Sequence, residues 1–195
     1  AWDDPMPSTL LPEWRRVEQQ LSEVLQYSFP RLVGPTTGTQ NAKFSLIGFC
    51  DASNLAYACC IYVCWHKGTD SQAHLLFAKS RLMPKKMQSN MKVSIPRIEL
   101  LAIWICNKML RFLSTKLTAI LNLEFHELVM FTDSQIALNW ITSDKSLSTF
   151  VGNRVREINT APTIPCFYVP TDQNPADLPT RRTTMSSTEF MLCTK

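Results

Sequence analysis

Residues 128–141, Leu-Val-Met-Phe-Thr-Asp-Ser-Gln-Ile-Ala-Leu-Asn-Trp-Ile, leave this chain few folds to choose from. Leu128 to Phe131 is a short apolar run of the kind that forms a buried strand. Thr132-Asp133-Ser134 supplies N-cap chemistry, and Ile136, Ala137, Trp140 and Ile141 recur at helical spacing. A strand running straight into a helix puts Asp133 at the carboxyl end of the strand, where open α/β sheets hold their ligands. Taken alone, Asp133 or Ser134 needs no role beyond capping the helix. Three other acids in comparable places change that balance.

The remaining chain must supply the other strands, and 195 residues suffice for one full core with a small appendage. No apolar run approaches the roughly 20 residues that span a membrane. No basic-plus-apolar leader is present, and residue 1 is Ala, so the sequence reads as a piece of a longer chain. Residues 1–40 carry three basic and five acidic side chains, whereas 41–195 carry 17 and 11. Between Lys79 and Arg97 stand Lys79, Arg81, Lys85, Lys86, Lys92 and Arg97, with no acid among them. Such a run suits a phosphate backbone, or simply a solvated loop. The seven cysteines match no disulfide framework or zinc knuckle, and reduced, buried thiols of an intracellular protein are expected.

In chain order, Leu11 to Tyr27 puts Trp14, Val17, Leu21, Val24 and Leu25 on one helical stripe, followed by a linker with Pro30, Gly34, Pro35 and Gly38. Strands are expected over Phe44–Phe49, Leu55–Trp65 and Gln72–Lys79, joined by short turns as an antiparallel meander. A basic loop, Ser80–Ser94, leads to a helix from Pro96 to about Leu113 with Glu99 in its first turn. After the 128–141 unit come a short helix over Phe150–Ile158, a strand over Cys166–Val169 and a terminal helix over Asn174–Arg182. The expected class is α/β, a mixed five-stranded sheet flanked by helices. Expected boundaries are a connecting segment 1–40, the main domain 41–185 and a tail 186–195.

An acid falls at the end of the first strand (Asp51), in the long helix (Glu99), after the fourth strand (Asp133) and in the last helix (Asp177). Each alone is explained as a cap, a turn residue, a partner for a helix dipole or a surface acid. Together they are four carboxylates that a mixed sheet can bring to one point, and hard oxygen ligands select Mg²⁺ or Mn²⁺. Two such ions about 3.5–4 Å apart can drive in-line hydrolysis of a phosphodiester.

The order of elements and acids resembles the ribonuclease H fold of retroelement polyproteins. Thr132-Asp133-Ser134-Gln135-Ile136-Ala137-Leu138 is similar to the third-acid motif of retroviral ribonuclease H domains. Phe49-Cys50-Asp51-Ala52-Ser53 resembles the first-acid motif and Pro96-Arg97-Ile98-Glu99-Leu100-Leu101 the second. Tyr168-Val169-Pro170-Thr171-Asp172-Gln173-Asn174-Pro175-Ala176-Asp177-Leu178 resembles the fourth. Ala78-Lys79-Ser80-Arg81, Ile95-Pro96-Arg97, Asn153-Arg154-Val155 and Asn174-Pro175-Ala176-Asp177 are similar to BEL/Pao-type retrotransposons. The opening Trp2-Asp3-Asp4-Pro5, with Pro30-Arg31, looks like that family's connection from the reverse transcriptase.

The resemblance implies a Mg²⁺- or Mn²⁺-dependent endonuclease that hydrolyses the RNA strand of RNA–DNA hybrids. Asp51, Glu99, Asp133 and Asp177 would hold two ions, and Asn174 would steady Asp177. Ser134 and Gln135 would meet the hybrid's minor groove, where 2′-hydroxyls are displayed. Lys85, Lys86, Lys92 and Arg154 are the expected further contacts to nucleic acid. A reverse transcriptase upstream and an integrase downstream in one polyprotein are implied, in a cytoplasmic virus-like particle or the nucleus. Cellular and retroviral relatives carry a histidine in the loop before the last acid, which BEL/Pao elements do without; Val169 to Asp177 has none, and His66, His74 and His126 lie elsewhere. Arg181-Arg182 also stands where a glycine is expected soon after the arginine. The alternatives are a domesticated copy that binds without cutting, and another nuclease or integrase on the same fold.

Overall fold

The computed structural model describes residues 4–25, 28, 33–35, 38–83 and 94–181. Lys85, Lys86 and Lys92, Pro30-Arg31 and the tail 186–195 lie outside them. The chain divides into two compact units, one holding the described residues up to Val33 and the other beginning at Gly34.

The first unit contains α1, Leu11–Val24, with Pro12 in its opening turn, where a missing N–H costs nothing. None of its residues is buried, and Trp14, Val17 and Leu21 of the expected stripe stand open, Trp14 being 50% exposed.

The second unit is built on five strands: β1 Lys43–Ala52, β2 Ala56–Lys67, β3 Asp70–Leu82, β4 Phe125–Thr132 and β5 Cys166–Tyr168. They lie in the order β3-β2-β1-β4-β5. The first three form the expected antiparallel meander, and β1–β4 and β4–β5 pair in parallel. β3 runs three residues past Lys79, so Ser80, Arg81 and Leu82 belong to the ladder rather than to a loop. β1 is central and nearly every second side chain along it is buried, which fixes its register because a one-residue slip would turn that set outward.

The crossover from β3 to β4 carries α2, Ile95–Leu121. It continues a further eight residues beyond Leu113 and ends on Asn122 in a left-handed conformation, φ 50°. Its buried face, Ile98 to Leu110, lies against β1 and β2. Gly48 makes that approach possible, because a Cβ there would collide with Cys106 Sγ and press on Leu110. Leu46, Ile61, Ile98, Leu100, Ile103, Leu110, Met130 and Ile158 form the fully buried centre.

Two shorter helices follow, α3 at Gln135–Ile141 and α4 at Thr149–Ile158. α4 is fastened to α2 by Trp104 Nε1 donating to Glu157 Oε2 at 2.8 Å and by Lys108 Nζ at 3.0 Å from the same oxygen. Arg111 of α2 also donates to the carbonyls of Thr160 and Pro162 just beyond α4. After β5 the chain makes two 3₁₀ turns, Thr171–Gln173 and Pro175–Thr180. The second stands where an α-helix over 174–182 is expected. Pro179 lacks the N–H that an α-helix begun at Pro175 would use there, and the short 3₁₀ turn tolerates its loss. Six cysteines, Cys50, Cys59, Cys60, Cys64, Cys106 and Cys166, are free thiols.

Candidate metal centre

Strand register brings the first and third acids together. Cys50 of β1 pairs with Thr132 of β4 in the parallel ladder, so the next residues, Asp51 near the end of β1 and Asp133 just past β4, lie side by side. Glu99 reaches the same point from α2. The helix begins at Ile95, so Glu99 lies beyond its first turn, and its position answers the sheet rather than the helix dipole. One carboxylate oxygen from each of Asp51, Glu99 and Asp133 falls within 4.8 Å of the other two.

Asp51 and Glu99 are buried, at 5% and 9% exposure. Glu99 Oε2 and Asp133 Oδ1 are buried without a hydrogen-bond partner. Buried carboxylate oxygens without partners are costly unless something cationic satisfies them. An all-carboxylate oxygen set suits a hard divalent cation such as Mg²⁺ or Mn²⁺, so these residues fit such an ion.

The electrostatics agree. Burial, and then the charges of Asp51 and Asp133, push Glu99 up to about 8. Burial raises Asp51 to about 6, assisted by Asp133 and Asp177 and opposed by a hydrogen bond from Thr180. Both groups hold protons tightly, first because each is in a dry place and then because two further carboxylates stand near each.

The remaining oxygens are held by residues the sequence did not single out. Thr171 Oγ1 donates to Asp133 Oδ2 at 2.7 Å. Thr180 Oγ1 donates to Asp51 Oδ2. Ser53 Oγ donates to the Thr180 carbonyl at 2.7 Å, tying the last turn to the end of β1. Asn174 Nδ2 donates to the Cys50 carbonyl at 3.1 Å and its Oδ1 accepts from Ala176 N, so it anchors the turn that carries Asp177. Thr171 and Thr180 both sit inside or beside the fourth-acid motif, the only signal that could have found them.

Asp177 stands apart from the three clustered acids. Arg181 Nε lies 2.7 Å from Oδ1 and 2.7 Å from Oδ2, an ion pair across both carboxylate oxygens. Ser134 is the N-cap of α3, its Oγ accepting from Ala137 N, and Gln135 opens that helix with its side chain exposed. Arg154 stacks on the Phe150 ring at 4.1 Å, and Arg97 approaches the same ring at 5.8 Å. His66 pairs with Lys43 at the far end of the β1–β2 ladder, His74 lies opposite Val63 and His126 lies at the start of β4, so none reaches the acids.

A search of curated proteins finds no match to the chain. Among solved structures, the chain is similar to ribonuclease H1 from the halophilic archaeon Halobacterium salinarum. That likeness is at 11% identity over 69% of this chain and 90% of that one, with a TM-score of 0.41. It is also similar to the N-terminal ribonuclease H domain of rv2228c from Mycobacterium tuberculosis, at 9% identity over 77% and 96%, TM-score 0.44. A third is LC11 ribonuclease H1 in complex with an RNA/DNA hybrid, at 12% over 70% and 92%, TM-score 0.37. The sequence profile described as "Pao retrotransposon-like RNaseH-like domain" matches residues 1–134, more than two thirds of the chain and three of the four acids. With its five-stranded mixed sheet and its acids at the carboxyl ends of β1 and β4, the protein belongs to the Pao retrotransposon-like family of ribonuclease H-like domains.

Proposed function

We propose that this domain is a divalent-metal-dependent endonuclease that hydrolyses the RNA strand of RNA–DNA hybrids during reverse transcription of a retrotransposon. The observation that carries the reading is the convergence of Asp51, Glu99 and Asp133, with two of their buried oxygens lacking any partner. Mg²⁺ or Mn²⁺ bound there would activate a water and stabilise the leaving oxygen of the phosphodiester. The chain's part is to hold the carboxylates ready: Thr180 fixes Asp51 and Thr171 fixes Asp133, leaving the other oxygens directed to the centre. Asp177 serves a second ion at the rim, and Asn174 steadies the turn that presents it.

Ser134 and Gln135 follow Asp133 directly, and on this reading they meet the minor groove of the hybrid, where 2′-hydroxyls distinguish RNA from DNA. Arg154, together with Lys85, Lys86 and Lys92, grips the phosphate backbone. The polymerase that writes the DNA strand would precede the domain in the same polyprotein, and an integrase would follow it. Residues 1–40 then form the connection and 41–185 the nuclease.

The test is cleavage of a labelled RNA–DNA hybrid, beside duplex DNA and duplex RNA, with Mg²⁺ or with chelator. Cleavage should be confined to the hybrid's RNA strand and require metal. Asp51→Asn, Glu99→Gln and Asp133→Asn should each lower the rate by about a hundredfold or more, since each removes a charged ligand from the reacting centre. Near-normal metal-dependent cleavage by Asp133→Asn would defeat the assignment.

A further inference from the structure

The fourth carboxylate is not idle in this structure, because a cation already sits on it. Arg181 Nε, just past the end of the 3₁₀ turn, bridges both oxygens of Asp177 at 2.7 Å. The carboxylate side chain is 20% exposed and the arginine's 54%, so the pair lies at the rim of the acidic centre. The backbone beneath it is pinned. Asp177 N donates to the Asn174 carbonyl, the Thr180 hydroxyl lies against the Asp177 carbonyl, and Ser53 holds the Thr180 carbonyl. Only the Asp177 side chain is therefore left to adjust, and what restrains it is one ion pair.

The other three acids are in the opposite condition. Their oxygens lie within 4.8 Å of one another, and Glu99 Oε2 and Asp133 Oδ1 have no partner. A site with three convergent carboxylates and bare oxygens is ready for one cation. A site whose remaining carboxylate is occupied by a guanidinium is not ready for a second.

We propose that Arg181 is a resident competitor for the second divalent ion: the resting centre takes one ion on Asp51, Glu99 and Asp133, and Arg181 must leave Asp177 before that carboxylate can serve another. The proposal rests on the metal-centre reading above and specifies its regulation, making occupancy of the second position depend on metal concentration. Two effects work in the same direction. The ion pair removes Asp177 as a ligand, and the guanidinium's positive charge repels an incoming cation.

The experiment is calorimetric titration of the full chain with Mn²⁺ and with Mg²⁺, for wild type, Arg181→Gln, Arg181→Lys and Asp133→Asn. Wild type should show one stronger and one weaker site. Arg181→Gln should tighten the weaker site by about fivefold or more while leaving the stronger one within about twofold. Arg181→Lys, which keeps the charge but not the planar fork, should fall between them. The Mg²⁺ concentration for half-maximal hybrid cleavage should move down in step with the weaker site. Two equal sites in wild type, or a weaker site that Arg181→Gln leaves unchanged or loosens, overturns the proposal. Failure of the underlying reading looks different: wild type would bind no ion, or Asp133→Asn would bind exactly as wild type does. Arg181 is exposed, and the lysine variant keeps the comparison available should the glutamine variant fold poorly.

Discussion

At the scale of single residues, Glu99 stores electrostatic strain in the metal-free centre. Burial and the neighbouring Asp51 and Asp133 raise it from 4.5 to about 8, and Asp51 rises from 3.8 to about 6. An acid whose value is higher folded than unfolded keeps its proton more tightly in the folded state. Its contribution to stability is therefore complete below the unfolded value and lost as pH rises through the folded one. Metal-free protein should accordingly lose melting temperature between about pH 4 and pH 8. Glu99→Gln removes the larger of the two titrations, so its melting temperature should fall less over that window and stand roughly 5 °C above wild type near pH 8. Saturating Mg²⁺ should reverse the ranking. Only the intact ligand set gains fully from mass action, worth about 2.7 kcal/mol at a hundredfold excess over the dissociation constant. Thermal unfolding in chelator and in metal, at both ends of the window, reads all of this. Parallel pH slopes for the two proteins would mean that Glu99 carries no such strain.

At the scale of elements, Asp51 and Asp133 were legible because each stands at the end of a strand, next to turn and cap residues with recognisable chemistry. Leu128–Ile141 showed both the strand and the helix, and the register of β4 on β1 then put Asp133 beside Asp51. The end of α2 was not legible. Its burial stops at Leu110, and the apolar residues beyond it, Phe112, Ile120 and Leu121 among them, stand exposed, so no core packing marks how far the helix continues. Pairwise choices were hidden too. Thr171, Thr180 and Arg181 each secure a different acid, yet as residue types they are ordinary, and only folding shows which carboxylate each one meets. Arg181 was visible only through the missing glycine that should follow it. The seat of α2 on β1 depends on Gly48. Gly48→Ala should cost about 1–3 kcal/mol as Cys106 and Leu110 are displaced, and since the same helix carries Glu99, metal affinity should fall with stability. Denaturant unfolding beside metal titration tests the pair, and a stable Gly48→Ala protein with wild-type metal affinity would show that the close approach is dispensable.

At the scale of the whole molecule, charge is divided unevenly, with residues 1–40 net negative and the rest net positive. No helix among the described residues is long and apolar enough to cross a membrane. If Lys85, Lys86 and Lys92 bind phosphates, replacing all three with Ala should weaken hybrid binding and lower the slope of log affinity against log salt by about one for each lysine. An unchanged slope would make that run a solvated loop. The hydrogen bond from Ser53 to the Thr180 carbonyl spans 127 residues and joins the end of the first strand to the last described turn. On a ribosome, therefore, β1, α2 and β4 emerge well before the segment that fastens Asp51 and presents Asp177. The acidic centre thus stays incomplete until residue 181 has been made, and the segment that fastens Asp51 and carries Asp177 is the last part of it to appear.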